Sequence, residues 1–476
     1  MDAFTMWDKK IIFVDGWFIY MDGNGNNSII SHRQARTLES EYQSYQARMD
    51  VNKGGDPEER AFGCRGFTKK DGKFIYEKFR VDQLIVGEVA SIPSILQIPR
   101  AINGIKINYI MKEAFKDETA IEKVILHEEI HTIGESAFEG CLNLCEVAFL
   151  DRHIEIRADA FIGTKLFSSE VSYLNKVLYK VDPNFKGALK VKEGTLAIAD
   201  EALCGCTEIT RIDLPDGLIS IGDKAFTNCS GISALILPES VRTIGRNAFA
   251  GCTNLAFVVL PEGIEEIERA TFFRCENLYE VNIPKTVRNI SFDAFEGSGL
   301  FTAYEESNKN ELYLDEWLIH YKYDKISSLH VKGGTVGIAD MDSFKAKTID
   351  SVTLPDSLKY IGDNAFKGAR IESVILPQNL LRVGMSAFHG TKLKEVSIPK
   401  SVSEIKEWAF MNCDSIQKIT VEGIETKIVW PAITGRKDKK TITICARRES
   451  NAKQYCAEYG ERHGLVFLPW IEGCEE

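Results

Sequence analysis

The sequence predicts a solenoid, in which short strand-and-turn coils stack so that their strands line up in a single parallel sheet. Two observations carry this prediction. The stretch "SVRTIGRNAFAGC", Ser240 to Cys252, returns as "LISIGDKAFTNC" ending at Cys229, "EIHTIGESAFEGC" ending at Cys141 and "LKYIGDNAFKGA" ending at Ala369. With the Phe of "AF" as marker, the series is Phe115, Phe138, Phe161, Leu203, Phe226, Phe249, Phe272, Phe295, Phe344, Phe366, Phe388 and Phe410. Its steps are 23, 23, 42, 23, 23, 23, 23, 49, 22, 22 and 22. Near-constant spacing over twelve units is the mark of coils that each contact mainly their neighbours.

In chain order, residues 1–66 fall outside the repeat, and "RQARTLESEYQSYQARM" predicts one helix there with no assigned role. Residues 67–94, opening "TKKDGKFIYEKF", read as a strand hairpin that caps the first coil, since the open end of a stacked sheet needs covering. Residues 95–422 are the solenoid of twelve coils, each of ~23 residues, with hairpin insertions near 166–190 and 300–330. The insertions repeat each other: "YLNKVLYKVDPNFKGALKVKEGTLAIAD" from Tyr173 matches "YLDEWLIHYKYDKISSLHVKGGTVGIAD" from Tyr313 at an offset of 140. Residues 423–476 form a C-terminal cap.

Within a coil, "ISALILP", "ITRIDLP", "LAFVVLP" and "LYEVNIP" place apolar residues two apart, which describes a short strand with one face inward. The Pro that follows has no N–H for the next coil's ladder, so the strand stops there. The "IGxxAF" half returns the chain along the opposite side. Gly222, Gly245 and Gly362 are expected to supply a tight bend there, and Ala and Phe to pack as a ladder between coils. Cys141, Cys206, Cys229, Cys252, Cys275 and Cys413 sit three residues after the marker, where a small buried side chain suits a stacked interior. They read as reduced thiols of a reducing compartment rather than a disulfide framework.

Composition narrows the function. A net charge of −11 argues against a nucleic-acid partner, because that affinity rests on clustered Lys and Arg. The short basic run at Arg436, Lys437, Lys439 and Lys440 reads as a solvated loop. No apolar run approaches the ~20 residues of a membrane span. Lys9 and Lys10 precede an apolar run that Asp15 interrupts, so no export signal is legible. That points to the cytoplasm, with the cell surface or secretion as the alternative where a leader precedes the sequence.

Two patterns imitate metal sites. "HEEIH", His127 to His131, satisfies the H-E-x-x-H zinc pattern, but it aligns with the strand end and turn of a coil, where two His cannot share a helix face. "DGNGNNSIISHR", Asp22 to Arg33, begins like a calcium loop, yet Asn27 replaces the turn Gly and Arg33 stands where a bidentate Glu belongs. It reads as a polar hairpin turn. Neither a cofactor motif nor a catalytic constellation is legible, so no metal, no cofactor and no enzyme activity are expected. The enzyme alternative would use residues 1–66 or an insertion.

"LPESVRTIGRNAFAGCTNL" resembles the BspA-type leucine-rich repeat family, over about residues 95–422. The terminal "TITICARRESNAKQYCAEYGERHGLVFLP" looks like that family's closing strand, short helix and last strand. The resemblance implies an α/β-type leucine-rich repeat solenoid: a right-handed arc with one parallel sheet on its concave side and capping elements at both ends. It also implies protein binding, often as a cell-surface adhesin.

Strand alternation then locates a candidate surface, because residues flanking the central inward one face away from the core. Ala234, Ile236, Phe257 and Val259 belong to two adjacent coils that are apolar at both outward positions, with Arg211, Asp213, Glu280 and Asn282 as a rim. An apolar centre with a polar rim fits a protein partner. The expected function is a non-catalytic protein-binding scaffold, the alternative an adhesin for host protein or glycan. The competing expectation is that the hairpin Tyr173 to Leu189 or Tyr313 to Leu329 folds over this patch as core.

Overall fold

The computed structural model describes residues 10–14, 17–21, 27–30, 65–70, 73–78, 94–102, 105–148, 153–166, 170–322, 327–341, 349–433 and 441–469. The helix expected near residues 33–49, the marker Phe344 and the basic run 436–440 lie outside them. The chain divides into two compact units. One comprises Met1–Phe185, Val191–Cys204 and Gly217–Ala225; the other comprises Lys186–Lys190, Gly205–Asp216 and Phe226–Glu476. Each is a β-solenoid of stacked coils with little helix.

A coil has two limbs. On the strand limb, alternation is obeyed: Ala234–Ile236 pairs in parallel with Phe257–Val259, and Phe257 in turn lies opposite Glu280. The central residues Leu235 and Val258 are buried, as are Leu237 and Leu260 beyond them. The return limb carries a parallel ladder of its own, built of two-residue strands. Among them are Tyr109–Ile110, Thr132–Ile133 and Glu155–Ile156 in the first unit, and Gly337–Ile338, Tyr360–Ile361, Arg382–Val383, Glu404–Ile405 and Lys427–Ile428 in the second.

Between the limbs the marker residues stack as expected. Phe226, Phe249, Phe272 and Phe295 lie face to face with ring centroids 5.2, 5.6 and 5.6 Å apart, and Phe115, Phe138 and Phe161 repeat this at 5.3 Å. The backbone explains the regularity. Within the regular runs a marker N–H donates to the carbonyl before the next marker, as in Phe138 to Ala160 (2.7 Å), Leu203 to Ala225 (2.8 Å) and Phe226 to Ala248 (2.7 Å), whereas Phe161, at the first insertion, donates to the Tyr179 hydroxyl at 3.0 Å. The turn amides of one coil are thus satisfied by the next.

The expected role of the return-limb glycines is corrected by the structure. The left-handed residues are two before and two after the marker, and side chains occupy many of them: Ser136, Lys224, Asn247, Asn364 and Ser386 before, Asn228 and Asn412 after. Gly222 and Gly362 are not left-handed. A Cβ there would stand 2.6 Å from the Asp200 nitrogen and 2.5 Å from the Ala339 carbonyl carbon, respectively. These glycines let neighbouring coils approach backbone to backbone.

The thiols have a specific duty. Cys141, Cys252, Cys275 and Cys413 each donate at 3.1 Å to the carbonyl of the previous coil's marker, Phe115, Phe226, Phe249 and Phe388. Burial pushes the Cys141 and Cys275 thiols up to about 12 and Cys413 up to about 11. All six ladder cysteines are buried.

Each insertion is an antiparallel hairpin whose second strand joins the return-limb ladder. Val171–Leu174 pairs with Val177–Val181, which runs parallel to Ala197–Ile198; Glu311–Leu314 pairs with Trp317–Tyr321, which runs parallel to Gly337–Ile338. The strands that follow, Gly187–Lys190 and Ser328–His330, pair in parallel with Ile209–Asp213 and Ser351–Thr353 on the strand limb. An insertion is therefore a coil in its own right, entered through a hairpin. A helix, Gly299–Glu306, capped by the Ser298 hydroxyl, leads into the second one.

Near the N-terminus, Lys10–Val14, Trp17–Met21 and Asn27–Ile30 form an antiparallel sheet, and residues 22–26 and 31–33 of the calcium-like stretch lie outside the described residues. Arg65–Lys70 and Lys73–Lys78 form an antiparallel hairpin. At the other end Ile442–Ala446, the helix Asn451–His463 and Leu465–Pro469 follow in the expected order, the last two strands pairing in parallel. Ser450 caps the helix and left-handed Gly464 ends it.

Candidate functional site

The outward face of the strand limb in the second unit carries the expected patch. Ile236 is 66% and Val259 40% exposed, Ala234 is exposed and Phe257 is half-buried. Their register makes them one surface, Ala234 opposite Phe257 and Ile236 opposite Val259. The hairpin Glu311–Tyr321 of this unit runs on into the return-limb ladder and leaves Ile236 and Val259 open. Its Asp315 carboxylate accepts the Ile283 N–H at 2.7 Å.

The rim is less free than its composition suggests. Arg211 donates to Asp213 at 2.8 Å, so these charges answer each other. Asn282 is committed to the backbone: its side chain accepts the Leu260 N–H and donates to the Leu260 carbonyl, both at 2.8 Å. Glu280 is exposed. Farther along, the outward positions turn polar. Ser351 donates to Ser328 at 2.8 Å, and Ser328 lies 3.2 Å from His330 Nε2. Ile375 is 89% exposed, and the equivalent repeat positions on either side of it are the polar Thr353 and Ser397.

The zinc-like stretch is not helical. His127 follows the strand Lys123–Ile125 and accepts the Glu129 N–H at 3.2 Å within a turn, while His131 lies against Thr132 at 3.0 Å, at the start of a return-limb strand. Among the described residues no group of His, Cys, Asp and Glu is arranged to hold a metal ion, and no helix is long and apolar enough to cross a membrane.

Sequence reasoning missed two carboxylate pairs. Asp200 accepts the Asp223 N–H at 2.8 Å and Asp340 accepts the Asp363 N–H at 2.7 Å, each where an insertion rejoins the regular coils. Burial raises the Asp200 carboxyl to about 6 against the pull of Arg157, 3.6 Å away. Burial raises Asp340 as well, reinforced by the Asp363 charge and opposed by the Asn289 amide at 3.2 Å. The signal was present: "AIAD" and "GIAD" end the two insertions at the offset of 140.

Solved structures of similar fold come from several bacteria. A leucine rich cell surface protein from Faecalibacterium prausnitzii is 16% identical, with 88% of this chain and 94% of that one covered and a TM-score of 0.25. A leucine-rich repeat protein from Bacteroides ovatus is 19% identical, covering 85% and 97%, with a TM-score of 0.26. The pneumococcal vaccine antigen PcpA is 17% identical, covering 81% and 91%, with a TM-score of 0.26. Among curated proteins no match is found. The repeat itself matches the BspA type leucine rich repeat region over residues 108–186, 184–302 and 338–456, and the chain belongs to that family.

Proposed function

We propose that this chain is a non-catalytic binding scaffold that captures a protein partner on the outward face of its parallel sheet. The contact would centre on Ala234, Ile236, Phe257 and Val259 and be bordered by Arg211, Asp213, Glu280 and Asn282. The observation that carries the reading is the exposure of Ile236 (66%) and Val259 (40%) side by side. Contiguous apolar surface costs solubility and marks contact sites on soluble proteins. Glu280 and the Arg211–Asp213 pair fit the polar rim of such an interface.

Ile236→Asp tests this with little risk to folding, since the side chain is mostly in water already. Affinity capture on the full chain followed by quantitative mass spectrometry should lose its specific partner with this variant while the melting temperature stays within about 2 °C, as for a surface change. Undiminished capture would remove the patch from consideration.

A further inference from the structure

A row of carboxylates borders the patch. Asp216, Glu239 and Glu262 each follow the Pro that ends a strand, three residues beyond outward Asp213, Ile236 and Val259, and all three are exposed. They hold the same coil position on three successive coils, so the row runs beside the patch at a spacing of ~4.8 Å. Among the described residues none of the three is in an ion pair. The positive groups nearby are directed at backbone or end the row: Arg242 donates to the Glu239 carbonyl at 2.6 Å, and Lys285, next in the row, donates its backbone N–H to one oxygen of the Glu262 carboxylate at 3.0 Å.

We propose, building on the docking reading above, that the occupant of this face is a polypeptide segment carrying basic side chains beside its apolar ones. Apolar residues would cover Ile236, Phe257 and Val259 while Lys or Arg meet the carboxylate row. Charge complementarity of this kind speeds encounter and rejects wrong partners more than it adds raw affinity. An extended segment places every second side chain ~7 Å along, within reach of successive carboxylates for long basic side chains. A second copy of this chain is the poorer occupant, because two proteins of net charge −11 would bring like-charged rows together.

The test uses the full chain and two fluorescent synthetic peptides of identical alternating apolar sequence, one with Lys and one with Glu at the intervening positions. Fluorescence anisotropy should show the Lys peptide binding about tenfold tighter or more, weakening several-fold from low to high salt. The double variant Glu239→Lys/Glu262→Lys should lose about tenfold of that affinity, whereas Glu425→Lys/Glu449→Lys, an equal charge change elsewhere, should leave it within about twofold. Ile236→Asp should abolish binding of the Lys peptide. Equal affinity for the two peptides, or indifference to the row variants, overturns the basic partner. If Ile236→Asp still removes binding in that case, the apolar docking face stands and only its charge preference falls. Binding of neither peptide overturns the inference as well, and concentration-dependent self-association blocked by Ile236→Asp would identify a second copy as the occupant.

Discussion

The two insertions, residues 173–200 and 313–340, perform one structural task with different residues. In the first, Val177 lies opposite Ala197; in the second, at the same positions, Trp317 lies opposite Gly337. A Cβ on Gly337 would stand 2.5 Å from the Trp317 ring, so the large residue is possible only because its neighbour has none. Trp317 and Val177 are both buried. What is held in common is a close-packed junction and not residue identity: the Trp–Gly pair is the larger, and its ring extends to stack on Tyr360 at 6.0 Å. The polar junctions differ in the same way. Asp200 N–H reaches back to Ile156 (3.1 Å) and Asp340 N–H to Ile290 (2.8 Å), but Arg157 lies 3.6 Å from Asp200 itself, whereas Asp340 has the Asn289 amide beside it and the arginine of that junction, Arg382, sits 3.6 Å from its partner Asp363.

The strongest test of the comparison is an exchange. Trp317→Val leaves a cavity and should cost on the order of 3 kcal/mol in denaturant unfolding. Gly337→Ala alone overfills the site and should cost about 1–3 kcal/mol. The double variant reproduces the first insertion, so its cost should fall below the sum of the two singles by more than about 0.5 kcal/mol, as coupled neighbours do. Additive costs would show that the two sites are not packed on the same principle.

Proton linkage gives the next largest effect and separates the two junctions. Both carboxyls are raised in the folded protein above the ordinary 3.8, Asp200 to about 6. A carboxyl raised on folding leaves the native state holding more protons than the unfolded one between its two pKa values. These groups therefore favour the fold below that window and withdraw their contribution as pH rises through it, at about 1.4 kcal/mol per unit of difference. For Asp200 the window runs from 3.8 to about 6; the more deeply buried Asp340 should extend it upward. Unfolding free energies across this range should rise relative to wild type at the upper end in Asp340→Asn, and less in Asp200→Asn, whose charge Arg157 already answers. Parallel curves for wild type and both variants would contradict this account.

A smaller effect asks whether the hairpins are equivalent where the residues agree. Tyr173 and Tyr313 each accept a backbone N–H, from Lys192 at 2.9 Å and Lys332 at 3.0 Å, each beside a register shift in its hairpin. Tyr173→Phe and Tyr313→Phe should each cost about 0.5–1.5 kcal/mol, the usual net worth of one hydrogen bond. A marked difference between them would show that the bond does not do the same work in both insertions.

Much of the coil was legible because its signals are local and repeated. The marker spacing placed the Phe stack, the alternation in "ISALILP" separated buried Leu235 from exposed Ile236, and the cysteine position three residues later proved buried. The glycines were misread for a physical reason. A sequence shows that Gly recurs, but its missing Cβ can serve a left-handed bend or a close approach, and only the neighbouring coil's backbone reveals the second. The rim was half-read. Glu280 is exposed as expected, but nothing in a single strand shows that Asn282 is spent on Leu260 or that Arg211 is closed onto Asp213. Asp216, Glu239 and Glu262 each follow a strand-ending Pro, but they lie beyond the strand, where the alternation argument does not reach.

By itself the sequence determined the coil, because backbone stacking and apolar alternation are periodic and every copy of the repeat restates them. It also determined the outward identity of Ile236 and Val259, since side chains in a strand must alternate. The tertiary structure decided what periodicity cannot encode: that each insertion becomes a coil, that Trp317 is matched by an absent side chain at Gly337, and that Asp200 and Asp340 accept the next coil's amides. These depend on pairs more than about a dozen residues apart, whose meeting is fixed by packing volume and by the need to satisfy buried polar groups rather than by local preference.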